Sequence, residues 1–236
     1  MPDANVDLGG SDLFGLTTTA GFHAQGSDTE PYSTEELALA SDGDKACTNT
    51  HDSGSNFTAR YKYCGSTLGT NLGANLTAFG TVVGTGAAAK IPTGMTIDFP
   101  GPGQQVEITI TGHNHTTNNH SASTNAANLF SLAGIIPAGA GVGVPDLITV
   151  AGETNSVASR SSASLDFAVN HIDKEGNSGH FVGESITCRC DLSVDYEGNA
   201  STATAGNWEQ ILVATSDANE DLDTSSLTAH QYLDAT

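Results

Sequence analysis

Three histidines within eight residues are the side chains of this chain best suited to chemistry. His113, His115 and His120 follow directly on the alternating run at residues 106–110. If that strand continues, His113 and His115 point to the same side, and His120 can return from the loop. Three imidazoles suit Zn, Ni or Cu. The gaps hold Asn and Thr, with no carboxylate to orient the rings, so histidines bonded to neighbours or solvent are the alternative.

Sequence patterns of catalysis are otherwise lacking. No Gly-x-Ser-x-Gly elbow occurs, and the Gly-rich run at 139–143 lacks the Lys-Ser/Thr ending of a phosphate loop. We therefore expect no enzymatic activity and no cofactor, and we assign no catalytic or cofactor-binding residue. A metallo-enzyme built on the histidine cluster remains a second alternative.

The cysteines indicate packing. Cys188 and Cys190 share strand parity with Ile186, Leu192 and Val194, so all five face one way in a strand. We predict buried free thiols, since no CxxC pair accompanies them to complete a metal site. A disulfide between residues 47 and 64 remains open, because it depends on an oxidising compartment.

The charge of the chain is unbalanced because cations are scarce. Seven Lys and Arg stand against 27 Asp and Glu, a formal net charge of −20, and charged residues make up only 14% of the chain, against roughly 25% in typical soluble domains. None of the seven precedes Lys45. Binding to nucleic acid or anionic membranes relies on Lys and Arg. We expect neither specific nucleic-acid binding nor membrane association.

The elements that must position these residues are strands. Residues 57–64, 106–110, 165–169, 186–194 and 208–213 alternate between apolar and polar side chains, as half-buried strands do. The turn-rich residues 173–179 predict that the strands at 165–169 and 186–194 form a long hairpin or lie side by side. The predicted fold class is all-β, a sandwich or barrel, with one or two short helices near 33–40 and 126–132.

The chain divides into a core and two acidic ends. Residues 1–44 hold nine acidic and no basic residues and are predicted to be an N-terminal arm, with Ser33 and Glu36 at capping-box spacing for a helix near 33–40. Residues 45–216 are predicted to be the β-rich core domain, and residues 217–236 an acidic C-terminal extension. The beginning of the chain lacks the features of a secretory signal.

This organisation resembles a structural protein of the tailed-bacteriophage virion, in particular a tail tube protein. The resemblance rests on the polar arm, the 106–110 strand leading into a long loop, the paired strands and the strand at 208–213. It implies a sandwich or barrel subunit that self-assembles into stacked, hexameric rings in the host cytoplasm. It also implies contacts with other virion proteins and an acidic lumen through which DNA slides. A capsid decoration protein or a surface adhesin module is the alternative.

Overall fold

The alternating runs form β-strands. The computed structural model describes residues 16, 18–31, 35–37, 47–49, 55–73, 90–114, 135–136, 143–145, 147, 149–151, 158–175, 181–198, 202–204, 208–216 and 223–234. The strands are β1 (Phe22–Pro31), β2 (Glu35–Leu37), β3 (Cys47–Asn49), β4 (Ser55–Tyr63), β5 (Lys90–Phe99), β6 (Val106–Asn114), β7 (Thr149–Ala151), β8 (Ala158–Glu175), β9 (Phe181–Gly198), β10 (Thr202–Thr204), β11 (Glu209–Ser216) and β12 (Thr224–Asp234). The predicted all-β class is confirmed.

Helices are few and short in the described part of the chain. They are a 3-10 turn at Thr18–Ala20 and the helix α1 at Leu68–Gly73. No helix within the described ranges has the length and apolar character needed to cross a membrane.

Eight of the strands form one antiparallel sheet in the order β1-β4-β6-β5-β8-β9-β12-β11. Two small sheets pair β2 with β3 and β7 with β10. Within the described residues β1 and β11 each have a ladder partner on one side only, so the large sheet has two edges. The predicted arrangement of the strands as a closed barrel or a two-sheet sandwich is more specific than the all-β class, and it stays a prediction.

One face of the large sheet is apolar. Along β6, Val106, Ile108 and Ile110 are buried while Glu107 is exposed, because successive strand residues point to opposite faces. Burying each large apolar side chain contributes roughly 1.5–3 kcal/mol. This core face consists of Phe22, Phe57, Ala59, Tyr61, Tyr63, Met95, Ile97, Phe99, Val106, Ile108, Ile110, Ala163, Leu165, Phe167, Val169, Cys188, Cys190, Leu192, Val194, Tyr196, Leu227 and Ala229, packed with Leu16, Leu68, Leu72, Ile135, Ile136 and Leu147.

Tyr63 joins the start of β1 to the end of β4. Its buried ring packs against Phe22, with ring centres 4.9 Å apart. Its hydroxyl accepts hydrogen bonds from the backbone N–H of Thr67 at 3.2 Å and from Nδ2 of Asn71 at 3.0 Å. The same Nδ2 group donates to the carbonyl of Ala20 at 2.9 Å. The residue pair Tyr63 and Asn71 therefore fixes where the chain enters the sheet.

The predicted hairpin is confirmed and is longer than expected. β8 and β9 pair from Ala158↔Gly198 to Glu175↔Phe181. β5 pairs with β8 only over residues 163–168 of β8, and β12 pairs with β9 only from Thr187 of β9 onward. In the described residues, 171–175 and 181–185 therefore form a two-stranded ribbon that extends past the neighbouring strands.

Both predicted terminal extensions contain strands of the large sheet. Residues 22–31, inside the predicted arm 1–44, form β1 and pair with β4. Residues 224–234, inside the predicted extension 217–236, form β12, which lies between β9 and β11. The β-rich core thus exceeds the predicted 45–216 boundaries at both ends. The inward-facing residues of β12 include Ser225 and Ala229, which flank Leu227. Because Ser225 and Ala229 are small, the alternation of apolar and polar residues in this strand is weak, and the acidic residues before it made the segment resemble a polar extension.

The helix predicted near 33–40 is wrong. Glu35–Leu37 form β2 and pair with Cys47–Asn49. Ladder hydrogen bonds to another segment outweigh a local capping pattern, because helix propensity is a weak preference that tertiary context overrides. The helical stretch predicted at 126–132 lies outside the described residues.

Candidate functional site: the open face of the sheet

The face opposite the core face is polar, and it is termed the open face. Neighbouring strands lie about 4.8 Å apart, so eight strands make a surface about 35 Å wide. One row of directly paired residues crosses it from β4 to β11. This central row is Arg60, Thr109, Thr96, Asp166, Asp191, His230 and Glu209.

Carboxylates outnumber cations on the open face. The described cations on this face are Arg60, Lys62 and Arg189, and the described carboxylates are Asp98, Glu107, Asp166, Asp191, Asp195, Glu197 and Glu209. Each of these charged side chains is exposed or half-buried, because its position in the strand alternates with that of a core residue.

Two cross-strand pairs on this face bring like charges together. Asp98 pairs with Glu107, and Asp166 pairs with Asp191. Like charges directly opposite one another destabilise a sheet. Neighbouring groups offset part of this cost: Lys62 Nζ lies 3.0 Å from Glu107 Oε1, and Thr96 Oγ1 donates to Asp166 Oδ1 at 3.0 Å. The stability of the sheet therefore does not explain these acids, which points to a role for the negative surface itself.

Arg189 is held by its neighbours. Its Nε and Nη2 donate to Oδ1 of Asp191 at 2.8 and 2.6 Å, and its Cζ lies 6.0 Å from the centre of the Tyr232 ring. These hydrogen bonds and the charge of Asp191 raise the pKa of Arg189. A phosphate group that approached Arg189 would have to compete with a carboxylate already in place.

Tyr232 is an exposed aromatic residue on this polar surface, with 53% of its area accessible. Its ring meets that of His230 edge to face at 5.3 Å, and His230 Nε2 lies 4.0 Å from Glu209 Oε2. Beside an ion-paired arginine, such a ring can pack against the C–H face of a sugar or stack on a planar group.

A shallow pocket of about 160 Å³ lies where the end of β5 meets β8 and β9. Ser162 Oγ donates to Asp195 Oδ2 at 2.9 Å within it. The hydroxyls lack an imidazole among the described lining residues, so the arrangement does not resemble an activated nucleophile. Its lining is Asp98, Phe99, Pro100, Ser162, Ala163, Ser164, Ser193 and Asp195.

The predicted histidine cluster is placed only in part. His113 lies in β6, where its register partners are Asn56 and Ile91. The side chain of His113, and the whole of His115 and His120, lie outside the described residues. Where the chain is described, no group of three His, Cys, Asp or Glu is arranged to hold a metal ion. The metal site at these histidines stays a prediction.

The prediction for Cys188 and Cys190 is confirmed. Both are free thiols buried on the core face. Burial raises the pKa of Cys188 to about 12 and also raises the pKa of Cys190, so neither is a ready nucleophile at neutral pH. Cys64 is a free, exposed thiol.

Sequence reasoning missed His230 and Tyr232. Both belong to β12, within the segment predicted as an extension. The available signal was the alternation of Ser225, Leu227, Ala229 and Leu233 with more polar residues.

The chain matches no protein-family model and no curated protein.

Proposed function

We propose that this chain is a structural protein of a tailed-bacteriophage virion, a tail tube subunit that self-assembles into stacked rings around an acidic lumen. The open face is the lumen surface. The observation that carries the proposal is the acid-rich open face of a continuous eight-stranded sheet, including its like-charged pairs Asp98–Glu107 and Asp166–Asp191.

The open face is suited to weak contact with DNA. Proteins bind DNA nonspecifically when Lys and Arg displace counterions from phosphates. On the open face Lys62 and Arg189 are already paired with Glu107 and Asp191. A surface of this kind repels a polyanion and offers it few places to bind. The scarcity of cations along the whole chain, seven in 236 residues, supports the same interpretation.

Stacking of rings is supported by the β8–β9 ribbon. Its described pairs, from His171↔Ser185 to Glu175↔Phe181, have no ladder partner on either side among the described residues. Each strand residue adds about 3.3 Å, so the ribbon reaches roughly 15 Å beyond the strands beside it. That length suits a contact with a subunit in the next ring or with another virion protein.

The assembly state of the native protein tests the proposal. Negative-stain images of the full chain are expected to show rings or tubes, six-fold when viewed along the axis. Light scattering at micromolar concentration provides the second measurement. A stable monomer that forms no ring or tube would contradict the tube proposal.

A capsid decoration protein or surface adhesin module is the alternative, and the exposed Tyr232 beside Arg189 favours it. An adhesin would bind glycans through this ring, and Tyr232→Ala would abolish that binding. It would also remain a monomer or small oligomer. The metallo-enzyme alternative requires stoichiometric metal that is lost in His115→Ala, measured by mass spectrometry.

A further inference from the structure

We propose that the open face carries a binding site for a neutral saccharide, formed by Tyr232, Arg189 and Asp191 around the exposed methyl group of Ala168. These four residues are termed the saccharide site. The inference goes beyond the proposed function, because it concerns an uncharged ligand on a surface that repels polyanions.

The saccharide site is assembled from three neighbouring strands. The register sets Tyr232 of β12 opposite Arg189 of β9, and Arg189 opposite Ala168 of β8. Asp191 follows Arg189 by two positions on β9, so both side chains lie on the open face. Because neighbouring strands lie about 4.8 Å apart, the row from Tyr232 to Ala168 spans about 10 Å. That length suits a mono- or disaccharide lying across the strands.

Tyr232 provides an aromatic surface for the sugar ring. Of the large hydrophobic side chains in the described part of the chain, that of Tyr232 is the exposed one. Its ring is held between two neighbours, because the His230 ring meets it edge to face and the Arg189 guanidinium lies near its centre. A tyrosine binds with little loss of side-chain freedom, and the C–H groups of a pyranose can pack on an aromatic face.

Arg189 and Asp191 provide hydrogen bonds for sugar hydroxyl groups. Nε and Nη2 of Arg189 both donate to Oδ1 of Asp191, so Oδ2 accepts no hydrogen bond from Arg189. The guanidinium has more N–H donors than these two bonds use, and the carboxylate has more lone pairs. Since a hydroxyl group both donates and accepts, neighbouring hydroxyls of one sugar can donate to Oδ2 and accept from the guanidinium.

Small residues leave space beside Arg189. Ala168 is exposed and carries only a methyl group, and its partner on the other side is Gly94 of β5. The hydroxyl of Thr111 occupies the space that a Cβ at Gly94 would need. The row therefore continues from the guanidinium over a methyl group to a hydroxyl group. Such a surface offers both apolar and polar contacts to a ligand that carries C–H and O–H groups.

The charges around the saccharide site favour a neutral ligand. Asp166 lies directly opposite Asp191, and Glu209 lies opposite His230 at the border of the site. The positive charge of Arg189 is already paired with Asp191. A sialic or uronic acid would bring its carboxylate close to these acids, and such like-charge contacts are costly. A neutral hexose avoids that cost.

Saturation-transfer NMR with the full chain tests the inference, because it detects weak binding whether or not the protein assembles. The neutral probes are lactose, maltotriose, mannotriose and chitotriose, and sialyllactose is the charged counterpart of lactose. The parent chain is expected to bind at least one neutral probe and not to bind sialyllactose. A parent chain that binds none of the neutral probes, or that prefers sialyllactose, would overturn the inference.

Two variants then locate the binding. Tyr232→Leu keeps an apolar side chain but removes the flat ring, and Ala168→Leu fills the space beside Arg189. Each is expected to raise the dissociation constant of the bound probe about tenfold. Thr58→Leu is the matched control, because Thr58 lies in the same row but three strands away from Ala168, on β4.

The two substituted positions are exposed, so circular dichroism and the melting temperature should stay close to those of the parent. If one variant does not fold, the other decides. Binding that is unchanged in the folded variants would overturn the saccharide site. The tube proposal is judged by assembly alone: rings that bind no neutral probe would leave it standing without the site, whereas a monomer that binds one would uphold the site and contradict the tube.

Discussion

Asp191 accepts two hydrogen bonds from Arg189, at 2.8 Å from Nε and 2.6 Å from Nη2, while it stands directly opposite another acid, Asp166. The Asp191 carboxylate therefore binds the Arg189 guanidinium and also contributes to the negative charge of the open face. Arg189 lies on the open face, but a phosphate group would have to compete with the Asp191 carboxylate in order to bind it.

Reversing the charge of this pair of acids is expected to create DNA binding. Asp166→Lys/Asp191→Lys removes two carboxylates, adds two ammonium groups and releases Arg189 from its partner. We expect a dissociation constant for duplex DNA of about 10⁻⁴ to 10⁻⁶ M near physiological salt, weakening as salt rises. Fluorescence anisotropy measures it. Asp166→Asn/Asp191→Asn is the control, and strong binding by the parent protein would contradict the account of the open face.

The hydroxyl of Tyr63 is expected to stabilise the entry of the chain into the sheet. Tyr63→Phe leaves the donors on Thr67 and Asn71 without this acceptor, which lowers the free energy of unfolding by about 1–3 kcal/mol. Urea titration measures the change. Tyr232→Phe is the matched control, since its ring is exposed, and equal losses in the two variants would contradict the role given to Tyr63.

The turn between β5 and β6 is expected to require glycine at position 101. Gly101 has a φ of +132°, and a Cβ there would lie 2.8 Å from the carbonyl oxygen of Ser161. Gly101→Ala should cost about 1–3 kcal/mol of backbone strain, in addition to the close contact. Gly103→Ala shares the positive φ, +78°, but meets nothing within 4 Å. It should cost less, and thermal melts that rank the two variants the other way would refute this.

The buried thiols predict a loss of stability in alkali. Burial raises the pKa of Cys188 from 9.0 to about 12 and raises that of Cys190, so the folded state keeps protons that the unfolded state releases. Their contribution is fully present below pH 9 and is lost as the pH rises from 9 towards 12. Urea midpoints across this range, compared with those of Cys188→Ala/Cys190→Ala, isolate the effect. Identical slopes would argue against it.

Removal of β12 is expected to unfold the domain. Because β12 lies between β9 and β11, a chain ending at residue 216 loses two ladders and the burial of Leu227. We expect no cooperative melting transition. A chain ending at residue 234 is the control, with a transition like that of the full chain. Cooperative folding of the shorter chain would restore the interpretation of 217–236 as an extension.

Some of this structure follows from the sequence because its cause is local. Val106, Ile108 and Ile110 alternate with polar residues, and a strand must place them on one face whatever its neighbours are. Cys188 and Cys190 follow the same alternation. The β8–β9 hairpin could also be predicted, because its strands are close in the sequence and are separated by the polar residues 176–180. The scarcity of Lys and Arg is likewise a property of composition, and it predicts that the chain does not bind polyanions.

Tertiary structure decided what depends on partners distant in the chain. Nothing near β4 shows that Ser55 will pair with Asn114, or that Pro31 will lie beside Ser55. β12 gains its stability from contacts with β9, so Ser225 and Ala229 are buried although neither is strongly apolar. The same pairing created the open face: Asp166 and Asp191 are 25 positions apart in the chain, and only the register of β8 and β9 sets them opposite each other. Local alternation therefore determined the strands and composition determined the sign of the charge, whereas long-range pairing determined which charges meet.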